Sequence, residues 1–251
     1  MFSGEKSMTI QKLMSVTRKA LDDFEMLDMS ESVAVGVSGG KDSLALVTAL
    51  AHLSRFHPTG FTVKAITVDL GFENADYDPI ARYLENLGVE YRVVPTDIGK
   101  IVFDLRKEKN PCSLCAKMKR GILCDTAKEM DCGKLALAHH RDDLIDTFLL
   151  NLFYAGRIDT FLPVTKLDKT GITVIRPFIL AEEKDLIYFT NKNPMPVCHS
   201  GCPADKHTTR EEIKVLLRTL AKENPDIKSK LFGAIERSGL LNREKNDTIR
   251  L

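Results

Sequence analysis

Six consecutive residues, Ser38-Gly39-Gly40-Lys41-Asp42-Ser43, set two hydroxyls, two glycines, an ammonium and a carboxylate side by side. That combination suits a phosphate. The apolar run Val33 to Val37 in front of it reads as a buried strand, and Leu44, Ala45, Leu46, Val47, Ala49 and Leu50 behind it read as the inward face of a helix. The six residues therefore open a helix, where unpaired backbone N–H groups and the positive end of the macrodipole favour an anion. Adjacent glycines let the backbone close around that anion without Cβ clashes. Lys41 adds a mobile positive charge, and Ser38 and Ser43 add donors. The spacing is tighter than the G-x-x-x-x-G-K-[ST] loop and differs from the G-x-G-x-x-G dinucleotide turn. An ordinary Gly/Ser-rich turn is the bland alternative; the strand before and the helix after weigh against it.

Two further polar groups stand at the ends of apolar runs. Val68-Asp69 closes the run from Phe61, and an acid so placed in an open parallel sheet lies beside a nucleotide crevice. There it can bind ribose hydroxyls or help hold a metal, although a solvated strand end would look the same. His139-His140-Arg141-Asp142-Asp143 follows the run from Lys134 to Ala138, with Thr147 one turn into the next helix. Two carboxylates beside a triphosphate repel it unless Mg²⁺ sits between them, and Mg²⁺ takes one or two carboxylates plus phosphate oxygens. The expectation is that Asp143 faces the nucleotide and that one of the two aspartates caps the helix, while the imidazoles of His139 and His140 could contact a phosphate or the base. Either histidine could equally be a satisfied structural one.

Sulfur supplies a third group. Cys112-Ser113-Leu114-Cys115 lies on a loop entering a helix, so both thiols fall on one side with the dipole favouring thiolate. This pair alone describes a redox dithiol as well as a soft-metal site. Far downstream, Cys198-His199-Ser200-Gly201-Cys202 offers a third thiol. Three thiolates leave one iron of a [4Fe-4S] cluster without a protein ligand, able to bind exogenous sulfide; a structural zinc would add a fourth ligand from Cys198 or His199. Cys124 and Cys132 have no partner at ligand spacing and read as core thiols.

These groups need a scaffold, and the chain alternates as one. Apolar positions at helical spacing over residues 8–29 predict a leading amphipathic helix. After the first strand and helix come strands at Phe61 to Asp69 and Tyr91 to Val94 around a helix near Asp78 to Leu87. A helix over 113–130, a strand from Lys134 to Ala138, a helix from Asp142 to Tyr154, a strand from Thr173 to Pro177 and a helix from Glu182 to Thr190 continue the pattern. The expected fold is α/β, an open parallel sheet with helices on both faces, carrying ligands at the carboxyl ends of its strands. The tail from Thr208 to Leu241 reads as helical. The 251 residues, 43% of them hydrophobic, suffice for one such domain with helical additions. A net charge of +1 excludes a uniformly basic nucleic-acid coat but not a local basic face. No apolar run approaches a membrane span, and Met1 to Lys6 lack a signal-peptide core, so no membrane partner and a cytoplasmic location are expected. Six cysteines in that compartment are thiols or ligands rather than disulfides.

The S-G-G-x-D-S loop resembles the pyrophosphate-binding loop of the PP-loop ATPases. Together with Cys112 to Cys115, Lys119 to Leu123, His139 to Asp143, Asn151 to Gly156 and Ile175-Arg176-Pro177, in that order, it resembles the tRNA 2-thiocytidine synthetase family over about residues 10–215. The resemblance implies cleavage of ATP between its α and β phosphates, adenylation of a tRNA cytidine carbonyl, and replacement of its oxygen by sulfur. It implies ATP, Mg²⁺ and an oxygen-sensitive [4Fe-4S] cluster held by three cysteines. It implies Ser38, Gly39, Gly40, Lys41, Asp42, Ser43, Val68, Asp69, His139 and Asp143 at the nucleotide. Asp42, Cys112, Cys115 and Cys202 form the expected catalytic set, the three cysteines being the cluster ligands. The family's last segment is commonly C-x-x-C-G-S-Q, whereas here three residues separate the cysteines and Pro203-Ala204-Asp205 follow; placing Arg210 on the family's arginine selects Cys202 over Cys198. Expected partners are tRNA, a cysteine desulfurase or other sulfide source, and a second copy in a homodimer. The domain reading is a helical cap at 1–29, an ATP pyrophosphatase domain with the cysteine cluster at 30–206, and a helical extension at 207–251. The alternative is an adenylating enzyme for another nucleoside or small molecule, using a persulfide or an amine, with zinc or no metal at the cysteines. Lys117, Lys119 and Arg120 are candidates for the RNA backbone, or plain solvated charges.

Overall fold

A computed structural model describes residues 9–72, 75–106, 111–198, 201–202 and 209–242. The expectations resting on Met1 to Lys6, on His199 and Ser200, and on Pro203 to Asp205 lie outside them. Short β-branched runs become strands β1 (Ser32–Gly36), β2 (Thr62–Asp69), β3 (Glu90–Pro95), β4 (Lys134–Ala136), β5 (Val164–Leu167) and β6 (Ile172–Ile175). Between and around them run helices α1 (Ile10–Asp23), α2 (Lys41–Leu53), α3 (Asp78–Leu87), α4 (Pro111–Glu129), α5 (Arg141–Tyr154), α6 (Glu183–Lys192), α7 (Thr209–Glu223) and α8 (Ile227–Arg237).

The six strands form one sheet in the order β3-β2-β1-β4-β6-β5. Every pairing is parallel except β5 with β6, an antiparallel edge closed by the turn Asp168 to Gly171. That edge strand is a departure from the all-parallel expectation. Because the chain leaves β1 toward β2 and β3 and returns on the other side as β4, the strand order reverses between β1 and β4. A crevice opens at such a switch point, outside the carboxyl ends of the strands.

Alternation along the central strands feeds two unequal cores. Val33, Val35, Val63, Ala65 and Ala136 face the larger one, built with α1, α2, α6 and the terminal helices α7 and α8. Ala34, Ile66, Leu135, Ile172 and Val174 face a smaller one covered by α4 through Cys124, Ala127 and Met130. Helix α1 is held by its N-cap, since the Thr9 hydroxyl accepts the Lys12 N–H, and by Leu13, Thr17, Ala20 and Leu21, buried at helical spacing. Each such leucine contributes about 1.5–3 kcal/mol by leaving water. A third, small cluster of Leu70, Ile98, Val102 and Cys115 lies under the first turn of α4. It anchors that turn to the end of β2. No described helix is long and apolar enough to cross a membrane.

Candidate nucleotide and thiol site

The turn between β1 and α2 is built from its own side chains. Ser43 Oγ donates to the Gly40 carbonyl at 2.8 Å and accepts from the Ser38 N–H at 3.2 Å and the Ser38 hydroxyl at 3.3 Å. Gly40 is the N-cap and has no side chain to offer, so the first amides of α2 keep no cap within the protein. That leaves donors for an anion. Gly39 sits at φ +85°, a region that L side chains rarely adopt. Its carbonyl accepts the Cys198 N–H at 3.0 Å, while a Cβ added to Gly39 would lie 2.9 Å from the Cys198 carbonyl oxygen. The segment ending at Cys198 therefore straps onto the turn. Lys41 Nζ lies 2.8 and 2.9 Å from the carboxylate oxygens of Asp42.

A cavity of about 380 Å³ opens at the reversal point. One wall is Ser38, Gly40, Asp42 and Ser43; another is Leu137, Ala138 and His139 after β4; Val68 comes from β2. The third wall is α4, through Ala116, Lys119, Arg120 and Leu123. Gly36 lines the floor, where an added Cβ would come within 3.0 Å of Leu137 Cδ2. Apolar groups at the floor and donors at one end make a slot for a flat ring carrying phosphates.

Helix α4 joins this cavity to the thiols. Cys112 and Cys115 occupy its first turn, one exposed and one buried, and four residues beyond Cys115 comes Lys119, about 6 Å along the axis. Burial pushes the Cys115 thiol up, the Lys119 ammonium opposes that rise, and Cys202 and Cys112 add to it. Cys112 and Cys202 are thus each within electrostatic reach of Cys115. Among the described residues no three His, Cys, Asp or Glu side chains are gathered at metal-holding distances, so the thiols are neighbours rather than a closed cage. Cys198 is placed differently, on the Gly39 side; burial raises the hydroxyls of Tyr77 and Tyr91, and the neighbouring Cys198 adds to both. Cys124 and Cys132 are buried in the α4 core. No disulfide is formed.

The acidic residues are taken up by protein partners. Neither aspartate is the N-cap of α5: that residue is His140, its Nδ1 accepting the Asp143 N–H at 3.3 Å, and Asp143 completes a capping box as Oδ2 accepts the His140 N–H at 3.2 Å. Asp143 Oδ1 also accepts from Arg210 at 3.2 Å, and the residue is not part of the cavity wall. Asp142 accepts the Glu183 N–H at 2.7 Å and Lys228 Nζ at 2.6 Å. Asp69 Oδ1 accepts the Gly71 N–H at 3.0 Å and the Tyr77 hydroxyl at 3.5 Å, and its backbone carbonyl accepts from Thr96. Val68, not Asp69, reaches the cavity.

Sequence reasoning read Lys119 and Arg120 as candidates for the RNA backbone or as plain solvated charges, and did not single out Phe161. Lys119 and Arg120 fall on the cavity side of α4 because they follow Ala116 by three and four residues, a spacing that was available to be read. Phe161 lies in a loop with no local signal. Its ring is 5.2 Å from that of His139 and 5.0 Å from the Arg176 guanidinium.

Comparison with known proteins fits this geometry. A family model described as a PP-loop domain matches residues 10–218. The tRNA-cytidine(32) 2-sulfurtransferase of Syntrophotalea carbinolica is 37% identical over 228 residues, covering 90% of this chain and 88% of that one. Its counterpart in Geobacter sulfurreducens is also 37% identical, covering 90% and 89%. The solved U34-tRNA thiolase NcsA from Methanococcus maripaludis, described with its [4Fe-4S] cluster, shares the fold at a TM-score of 0.72 and 23% identity, over 96% of this chain and 82% of that one. By these matches the chain belongs to the PP-loop family and, within it, to the family of the tRNA-cytidine(32) 2-sulfurtransferases, the tRNA 2-thiocytidine synthetases that its motifs resemble.

Proposed function

We propose that this protein is an ATP-dependent tRNA thiolase that adenylates a base carbonyl, C2 of a tRNA cytidine, and exchanges its oxygen for sulfur with release of AMP and pyrophosphate. The observation that carries the reading is that one cavity is walled by the phosphate turn on one side and, on the other, by the helix whose first turn bears Cys112 and Cys115. A neutral carbonyl oxygen is a poor leaving group; bonded to AMP it becomes a good one, so the two sites have to adjoin. The α2 amides, Ser38 and Lys41 hold the β and γ phosphates, and the Ser43 hydroxyl keeps the turn closed beneath them. Asp42, a carboxylate in the cavity wall, would hold Mg²⁺ against the phosphates. Gly36, Val68, Leu123 and Leu137 exclude water around the adenine. The target base reaches this pocket unstacked from its loop.

Cys112 and Cys115 on α4 and the downstream Cys202 would be the donor set for a [4Fe-4S] cluster, a reading supported by the influence of Cys112 and Cys202 on Cys115. Held by these residues, the cluster would supply sulfide on an iron that lacks a protein ligand. The sulfide comes from a cysteine desulfurase or from inorganic sulfide. A cytoplasmic location suits exposed thiols. A homodimer completes the proposal; Val215, Leu216 and Leu220 leave an exposed apolar row on α7.

Anaerobic reconstitution with iron and sulfide, then incubation with ATP, Mg²⁺ and bulk tRNA, is expected to give a thiolated nucleoside on digestion, with AMP and pyrophosphate in step. Cys112→Ala abolishes the product and the iron–sulfur absorbance; Asp42→Ala abolishes the product and keeps the absorbance. Product undiminished in Cys112→Ala would refute the sulfur half. Amidated rather than thiolated nucleoside would refute the whole.

A further inference from the structure

We infer that Arg176 is a positioning residue that fixes the proton of His139 on Nε2, making that nitrogen a donor for a phosphoryl oxygen of the bound nucleotide. The inference extends the nucleotide reading of the cavity. It rests on three observations about a stack of side chains behind the cavity wall.

First, Arg176 is a buried cation without a counterion. It is 9% exposed, its Nη1 donates to the Leu162 carbonyl at 2.6 Å and to Thr165 Oγ1 at 3.2 Å, and its Nε is sealed with no partner. Among the described residues it forms no ion pair, and the one charge that acts strongly on it is that of Arg120, of the same sign. Packing against the Phe161 ring at 5.0 Å offsets only part of what an unpaired buried charge costs.

Second, His139 lines the cavity with its ring tilted against the same Phe161 at 5.2 Å. Its Nδ1 is sealed from solvent and has no hydrogen-bond partner. The nitrogen left for the cavity is Nε2.

Third, a neutral imidazole has one donor nitrogen and one acceptor nitrogen, and its surroundings choose between them. Desolvation holds His139 down to about 4, and of the charges that act on the ring Arg176 is the strongest. Arg210 and His140 act in the same direction, and Asp143 opposes them. At neutral pH the ring is therefore uncharged. A sealed N–H with no acceptor is left unsatisfied, and the guanidinium that shares the Phe161 ring disfavours it further, whereas a sealed lone pair is attracted by that charge. The lone pair belongs on Nδ1 and the proton on Nε2. Such a donor, beside Ser38 and Lys119, is matched to an oxygen of the nucleotide rather than to a proton that needs removing.

Long-range ¹H–¹⁵N spectra of protein labelled at its six histidines test this directly, with His139→Gln identifying the signal. The expected pattern is the Nε2–H tautomer between pH 6 and 8, its Nε2 signal shifting when ATP or inorganic pyrophosphate is added. Arg176→Gln turns the pattern toward the Nδ1–H or exchanging form, and Arg176→Lys, which keeps the charge, restores it. In ATP binding, His139→Gln, whose amide N–H reaches the Nε2 position, stays within about threefold, whereas His139→Asn, which reaches only Nδ1, weakens binding about tenfold, one hydrogen bond to a charged oxygen. An Nδ1–H tautomer or an imidazolium at pH 7 in the native protein overturns the inference. An unchanged tautomer in Arg176→Gln overturns the role of Arg176. A correct tautomer whose Nε2 signal ignores ATP that calorimetry shows to be bound overturns the donor role alone, whereas no ATP binding by the native protein overturns the nucleotide reading of the cavity.

Discussion

Adding one methyl group at Gly39 and one at its neighbour Gly40 should have very different consequences. Gly39 lies at φ +85°, and its new Cβ would stand 2.9 Å from the Cys198 carbonyl oxygen and 3.3 Å from Cys198 Cβ. A non-glycine residue in sparsely populated backbone costs about 1–3 kcal/mol. Relieving the contact means moving the Cys198 strap, which forfeits its N–H bond to Gly39, about another 1 kcal/mol. Gly39→Ala is thus expected to lose roughly 2–4 kcal/mol, which for a chain of this size lowers Tm by roughly 5–15 °C. Gly40, at φ −77°, has an ordinary backbone, and its added Cβ would meet only Ser38 Oγ at 3.5 Å. Gly40→Ala should stay within about 1 kcal/mol of the parent in stability. Differential scanning calorimetry of the two variants, with urea unfolding as a second probe, measures the gap. Equal melting temperatures for Gly39→Ala and Gly40→Ala would refute both the strain at Gly39 and the clamping of the turn by Cys198.

Asp146 is buried with one carboxylate oxygen unpartnered; burial pushes it up to about 6, against the pull of Lys214 and Arg210. Because the folded protein prefers the protonated acid, its destabilising contribution grows as pH rises from about 4 through 6, so Asp146→Asn should raise Tm at pH 7.5 and lose that advantage by pH 4.5; a lower Tm at pH 7.5 would mean that the cations outweigh burial. Asp142→Ala removes the acceptor of the Glu183 N–H and of Lys228. It should cost about 1–3 kcal/mol in urea unfolding and speed proteolysis within α8, while Lys228→Ala, whose side chain is 38% exposed, should cost less. Thr67 donates to the Val37 carbonyl at 2.8 Å and accepts the Tyr91 hydroxyl at 2.8 Å. Thr67→Val leaves that buried carbonyl unpaired and should cost about 1–2 kcal/mol, with Tyr91→Phe nearer 0.5–1 kcal/mol; equal losses would show that the carbonyl is satisfied elsewhere.

How much of this was readable before folding depends on distance along the chain. The phosphate turn and the alternating sheet were legible because their signals are local: two glycines, a period of two in the strands, a period near four in the helices. Strand β5 was missed because it has only four residues, of which Thr165 alone is buried, and because an antiparallel edge breaks the alternation of strand and helix. The aspartates after β4 were misjudged for a different reason. Their fate is decided by Glu183, Arg210 and Lys228, which lie 41, 67 and 86 residues from the carboxylates they meet, and no spacing rule announces such partners. Cys198 and Cys202 were indistinguishable by type, yet one lies at the Gly39 turn and the other near Cys115.

Helix α4 behaves as a ruler. The thiols, the cavity wall and the core anchor follow one another along a single rigid 19-residue rod, so their separation is set by rise and rotation per residue rather than by the slack of a loop. Insert a single alanine between Cys115 and Ala116 and the sulfur-bearing turn swings about 100° around the axis and retreats about 1.5 Å, while everything downstream stays moored to the sheet. Length variation among descendants of this chain is accordingly expected to gather in the connections and to spare the stretch from Cys112 to Leu123, where one extra residue does more harm than most substitutions.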